Sequence, residues 1–117
     1  MPWGTSHEEI YVIGSGWDRE LARVKRSGSV ITTYGVRGGS HGAENDTGHP
    51  TPKPVGLMEQ LIQCTPPGVI ADPFAGSGAT LIAARNFGRR VIGVEIKEEY
   101  CEVIASRLQQ SVLNIAI

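Results

Sequence analysis

The sequence predicts an α/β fold, a parallel sheet with crossover helices preceded by an N-terminal β-hairpin, and two observations carry that reading. From residue 55 onward, segments with helical periodicity alternate with short apolar runs, the pattern of parallel strands joined through helices. Within that half a glycine-rich turn leads from a strand into a helix, the place where open α/β sheets bind ligands.

Residues 8–14, EEIYVIG, are β-branched and aromatic enough for a strand closed by Gly14, and residues 28–34, GSVITTY, predict a second. The segment between them, WDRELARVKR, fits either a helical turn or a long hairpin loop. Residues 35–54 turn to Gly, His, Thr, Asn and Pro without apolar periodicity, a loop of a length that is usually functional or mobile. The organisation is therefore a β-rich front (1–34), a Gly/Pro loop (35–54) and an α/β part (55–117), together one domain. In the last part Val55, Met58, Leu61 and Ile62 recur at helical spacing after Pro54, and Thr65-Pro66-Pro67-Gly68 stops that helix. Val69-Ile70-Ala71 predicts a strand buried on both faces. Ala79 to Phe87 predicts a helix ended by Gly88. Residues 90–94 predict another buried strand. Residues 97–110 predict a helix with Tyr100, Val103, Ile104 and Leu108 inward and Glu98, Glu99 and Glu102 towards water. The tail, SVLNIAI, is apolar enough for a last strand or the stump of a longer sequence.

Composition narrows the class. The chain has 117 residues, 40% hydrophobic and 20% charged, which suits one small globular domain. Its formal net charge is −1, without the basic excess of a protein that grips duplex DNA alone. Two local basic clusters, Arg19/Arg23/Lys25/Arg26 and Arg85/Arg89/Arg90, fit solvated faces better than a DNA patch. Cys64 and Cys101 lack metal-ligand spacing and are expected to be buried free thiols in a reducing cytoplasm. No apolar run approaches the roughly 20 residues of a membrane span, and no signal peptide is evident, so a cytoplasmic location is expected.

The chemistry concentrates in Asp72-Pro73-Phe74-Ala75-Gly76-Ser77-Gly78-Ala79-Thr80 and in Glu95, which ends the next strand 19 positions after Gly76. Gly76 and Gly78 let the backbone turn tightly and a ligand lie against it. Glu95 stands about where dinucleotide folds place the acid that accepts from ribose hydroxyls. A P-loop needs a Lys after Gly78, and a nicotinamide fingerprint needs a third glycine where Leu81 stands. Asp72 would repel a pyrophosphate at that turn, whereas it favours the ammonium and sulfonium of S-adenosylmethionine. A plainer reading, a Gly-rich connection without a ligand, does not account for Asp72, Gly76, Gly78 and Glu95 all standing at strand ends.

These residues resemble a known family. DPFAGSGAT looks like the cofactor motif DPFxGSGTT of DNA methyltransferases acting on adenine N6 or cytosine N4, with Ala79 in place of the first Thr. His49-Pro50-Thr51-Pro52-Lys53-Pro54 resembles the HPTQKP element of the permuted subgroup, and GVEIKEEYCEVIASRL resembles the ribose-binding strand and the helix after it. Residues 6–12 are similar to a hairpin segment that the family places after its catalytic motif. The resemblance implies a partial Rossmann-like methyltransferase fold and S-adenosylmethionine as cofactor. It implies that Asp72, Phe74, Gly76 and Gly78 surround the methionine part, Glu95 holds the ribose, and Ile96 lies against the adenine. Thr51 and Lys53 would close the site near the methionine carboxylate.

The family's catalytic tetrapeptide [DNS]PP[YFW], which holds the target amine and stacks on a flipped base, does not occur here. The one Pro-Pro has Gly68 where the aromatic residue belongs. In the permuted order that motif would lie upstream of Met1. The expectation is a cofactor-binding part, inactive alone, whose partners are DNA within a complete enzyme and a separate catalytic half or a homodimer mate. The missing neighbour strand would leave the sheet with an unpaired edge. The alternatives are a non-catalytic accessory or remnant module that binds DNA or protein, and a small-molecule methyltransferase, against which HPTPKP argues.

Overall fold

The computed structural model describes residues 8–14, 28, 30–33, 48–49 and 52–113. The expectations for residues 17–26, for most of the 35–54 loop and for the last four residues lie outside them. The elements run α1 (Val55–Ile62), β1 (Ile70–Asp72), α2 (Ala79–Asn86), β2 (Val91–Gly93) and α3 (Glu98–Leu113). Every helix and strand expected after residue 54 is present, with ends shifted by a residue or two, except that α3 runs on to Leu113. The first residues of the apolar tail therefore extend a helix rather than start a strand.

β1 and β2 pair in parallel, with Ile70 opposite Val91, Ala71 opposite Ile92 and Asp72 opposite Gly93. Parallel pairing requires a crossover, which α2 supplies. Side chains alternate across the sheet, and the helices cover one face only. On that face Ile70 and Val91 pack on a cluster of Ile62, Ala83 and Ala84, together with Val55 and Met58 of α1. A second cluster joins Ala75 and Leu81 to Ile104 of α3, with Val91 and Leu108 against it. Val91 thus belongs to both clusters. On the other face Ala71 is exposed, and Ile92 and Val94 are 60% and 57% exposed. The expectation of strands buried on both faces is corrected here: no described element lies on the second face, and the outer edge of β1 has no strand partner among the described residues.

The hairpin expected for residues 1–34 falls largely outside the described residues. The described residues of the two expected hairpin strands, 8–14 and 30–33, carry no strand pairing, and Tyr11 and Ile13 are 80% and 91% exposed. A two-stranded hairpin is marginal in water unless a third strand or a helix packs on its apolar face, and no described element does so.

Two polar devices fix the frame. Arg89 donates to Gly68 O at 3.0 Å, Thr65 Oγ1 at 3.1 Å and Pro66 O at 2.7 Å, so its guanidinium locks the TPPG turn. Arg85 donates to the carbonyls of Arg107 and Leu108 on α3. Two arginines of the second basic cluster thus bind the fold internally. Glu98 and Glu99 in the first turn of α3 complement its dipole.

The close approach of α2 to the sheet depends on Gly93. A Cβ there would meet Leu81 Cδ1 at 2.5 Å, and Leu81 is 4% exposed with no room to move aside. Dinucleotide folds place the small residue for such contact on the helix; here the helix carries Leu81 and the strand carries the glycine. Gly93→Ala is expected to cost about 1–3 kcal/mol of stability by overpacking. Urea denaturation should show Gly93→Ala and Leu81→Ala together costing less than the sum of the two.

Candidate functional site

The site is built where β1 ends. Asp72 Oδ1 accepts from the Phe74 N–H at 3.0 Å, an Asx turn that starts the bend. The chain then folds back onto the extension of β2: Val94 N–H donates to Asp72 O and Ala75 N–H donates to Val94 O, each at 2.9 Å. One residue further, Gly76 N–H donates to Glu95 Oε2 at 2.8 Å. Lys97 N–H donates to Glu95 Oε1 at 3.0 Å. The Glu95 carboxylate is thus gripped through both oxygens by backbone amides. A carboxylate has about four acceptor positions, so lone pairs remain on each oxygen for donors from a ligand.

Gly76 and Gly78 both have positive φ, +54° and +89°, a region that side chains other than hydrogen disfavour. A Cβ on Gly78 would meet Ile104 Cγ1 at 2.9 Å, and one on Gly76 would meet His49 Nε2 at 3.1 Å. The bend is therefore closed from behind by α3 and by a residue that precedes α1. Arg107 of α3 adds a hydrogen bond to Ser77 O at 2.6 Å.

Five of the eight site residues expected from the sequence come together here: Asp72, Phe74, Gly76 and Glu95 through these bonds, and Gly78 through its N–H, which donates to Ala75 O at 2.8 Å. Ile96 follows Glu95 directly and is 96% exposed, while Phe74 is 87% exposed. The site therefore carries two acids held by backbone amides and two apolar side chains open to solvent. Lys53 stands apart, its ammonium paired with Glu8 at 2.6 Å on the exposed surface. Thr51 lies outside the described residues. The sequence marks His49 only through its place in HPTPKP. Its ring lies 4.7 Å from that of Tyr100, tilted by 50°. Nothing in a lone sequence signals that contact, because the partners stand 51 positions apart. Cys101, expected to be buried, is exposed, and its thiol donates to Glu95 O at 3.5 Å. Position 101 turns outward on a helix whose buried residues there are Tyr100 and Ile104.

The Glu95 carboxyl is held below the ordinary 4.5 of a glutamate. The Lys97 N–H is the main cause, with the Gly76 and Ile96 N–H groups and the charge of His49 adding to it, while desolvation works in the opposite direction. The site is accordingly anionic at neutral pH.

The stretch that builds this site is shared with known proteins. A family model for DNA methylases of the N6/N4 class matches residues 5–106. The chain is 45% identical over 65 residues to the type II methyltransferase M.ScaI of Streptomyces caespitosus, covering 54% of this chain and 21% of that protein. It is 37% identical over 81 residues to the type II methyltransferase M.BglII of Bacillus subtilis, covering 68% of this chain and 22% of that protein. The matched stretch is thus about a fifth of the length of these relatives. Among solved structures, the complex of M1.HpyAVI with S-adenosylmethionine aligns with a TM-score of 0.48 and 43% identity, over 50% of this chain and 31% of that one. A DNA modification methylase of Thermus thermophilus, TTHA0409, aligns with a TM-score of 0.49 and 28% identity, over 89% of this chain and 41% of that one.

Because the folded-state pKa of Glu95 is lowered, its bonds stabilise the bend above the ordinary glutamate value and are lost as pH falls through the lower folded value. The Gly76 amide resonance is expected to titrate with a midpoint below 4.5. In Glu95→Gln that titration should vanish, and its persistence would mean that another acid governs the bend.

Proposed function

Since the chain belongs to the N6/N4 family of DNA methylases, we propose that its glycine bend binds S-adenosylmethionine as the cofactor part of a DNA adenine-N6 or cytosine-N4 methyltransferase. The observation that carries this reading is the exposure of Phe74 and Ile96, next to the amide-held carboxylates of Asp72 and Glu95. Large apolar side chains left almost wholly in water, next to convergent polar groups, are what a ligand surface requires. The fit is chemical as well. Glu95 keeps acceptor capacity for a ribose diol, and Asp72 supplies negative charge for an ammonium. Gly76 and Gly78 present backbone without side chains, and Ile96 offers an apolar surface for an adenine. The bound cofactor would supply an activated methyl on a sulfonium. The chain's own residues bind and orient: Asp72 sets the turn and the charge, and Glu95 fixes the nucleoside end. Lys53, now paired with Glu8, would have to exchange that partner to meet the methionine carboxylate, with Thr51 beside it.

Acceptance of the methyl by a base amine needs a group to hold the amine and an aromatic platform. The 117 residues contain no [DNS]PP[YFW] sequence, and their one Pro-Pro forms the turn locked by Arg89. In this reading the chain alone does not methylate DNA, and the open edge of β1 and the exposed Ala71/Ile92/Val94 face are covered by a catalytic half or a second copy. That same edge favours a second reading, a remnant module that docks on a partner without chemistry. Arg85 and Arg89 bond to carbonyls of the fold itself, which takes two members of the second basic cluster away from a DNA surface.

Calorimetric titration with S-adenosylmethionine is the deciding experiment. Wild type should bind, and Asp72→Ala and Glu95→Ala should each weaken binding by about tenfold or more, as loss of a charged hydrogen bond does. A hundredfold excess over Kd should raise stability by about 2.7 kcal/mol. Equal affinity in all three proteins, or preference for a dinucleotide, would remove the proposal. Size-exclusion chromatography should find self-association or instability of the isolated chain; a stable, well-folded monomer would count against the need for a covering partner.

A further inference from the structure

His49 has no ligand role assigned so far, yet it meets the bend on one side and α3 on the other. Its Nε2 stands 3.1 Å from where a Cβ on Gly76 would be. Its ring packs at 4.7 Å on Tyr100, itself buried in the first turn of α3. Tyr100 is in turn followed by Cys101, whose thiol meets Glu95 O, and Lys97 Nζ lies 5.3 Å from the Tyr100 ring centroid. Three chain segments far apart in sequence, the one that leads into α1, the bend and α3, therefore meet at the His49 ring.

We propose that His49 is a positioning residue for the ligand site: its ring, wedged between Gly76 and Tyr100, holds the bend so that the Glu95 carboxylate stays presented to a ribose diol. The inference rests on the cofactor reading given above, but its mechanical part does not. Gly76 has no side chain to pack, and its φ of +54° lies in the left-handed region, so its place is set by neighbours rather than by its own contacts. An imidazole against its Cα side supplies that neighbour, and Tyr100 stops the imidazole from turning away. Aromatic pairs at this separation and tilt add attraction beyond their buried area. The wedge also explains why the glycine cannot become alanine without moving His49.

The test uses the full chain, with S-adenosylmethionine as the titrant. His49→Ala is expected to weaken binding by about tenfold, within the range for residues that share contacts. Tyr100→Leu should lose a similar factor, and the double variant should bind no more weakly than the worse single one, since either change frees the same wedge. His49→Phe, which keeps the ring, should recover most of the loss. Ile62→Val, in the other core cluster, should lower the melting temperature while leaving affinity within about twofold, separating positioning from general destabilisation. Losses that multiply in the double variant, or a Phe variant as weak as the Ala one, would overturn the proposal. Where His49→Ala does not fold, His49→Phe against His49→Gln carries the same contrast, ring kept against ring lost. If wild type gives no binding heat, the cofactor reading falls. The wedge is then decided by melting temperatures without ligand: non-additive losses for His49 and Tyr100 sustain it, and additive losses refute it.

Discussion

A single backbone N–H, that of Gly76, donates to the carboxylate of Glu95, and the site takes its shape from that bond. Two parallel strands of three residues each would otherwise end in two independent loops. The bond, with Ala75 N–H on Val94 O just before it, turns the loops into one surface. It also sets the charge. An acid that accepts from two backbone amides is stabilised in its ionised form, so the bend offers negative charge although the chain as a whole is nearly neutral. Glycine at position 76 is required twice, once by its positive φ and once by the imidazole against it.

The core follows from the same economy of space. Ala83 and Ala84 are fully buried, so α2 lies close to both α1 and the strands, and Gly93 admits Leu81 on the strand side. Small residues at these contacts let a two-stranded sheet and three helices pack without a large apolar interior. What they cannot do is cover the second face. Ile92 and Val94 remain in water there, and the outer edge of β1 has no partner among the described residues. A strand edge and an apolar face of this kind are normally managed by a further layer.

The helices are legible in the sequence because their information is local. Val55, Met58, Leu61 and Ile62, or Tyr100, Ile104 and Leu108, repeat at intervals that only a helix converts into one face, and the structure buries or half-buries each of them. The bend is legible for the same reason: Asp72, Gly76 and Gly78 act on their own backbone, and Glu95 stands one crossover away. What is not legible depends on residues distant in sequence. An apolar triplet such as Val69-Ile70-Ala71 says that a strand can be buried on both faces, but whether a second layer exists is not written in the strand. The front segment is the sharpest example. EEIYVIG has strand propensity, yet propensity is realised only where a partner covers it. His49 is the converse case, a residue whose sequence context marks a motif and whose contact with Tyr100 depends on how α3 is placed.

Electrostatics connects these levels. A surface meant for nucleic acid spends its arginines on phosphates, and a surface meant for a cationic cofactor spends its acids on the ligand. In this chain Arg85 and Arg89 are turned inward onto carbonyls, while Asp72 and Glu95 are held at strand ends by amides that fix their direction without neutralising them. Backbone N–H groups carry only partial charge, so the carboxylates remain net negative towards whatever sits on the bend. A phosphate there would meet repulsion from both acids, and a sulfonium or ammonium would meet attraction. At this bend the local placement of charge, rather than the total for the chain, therefore decides which sign of ligand charge is favoured.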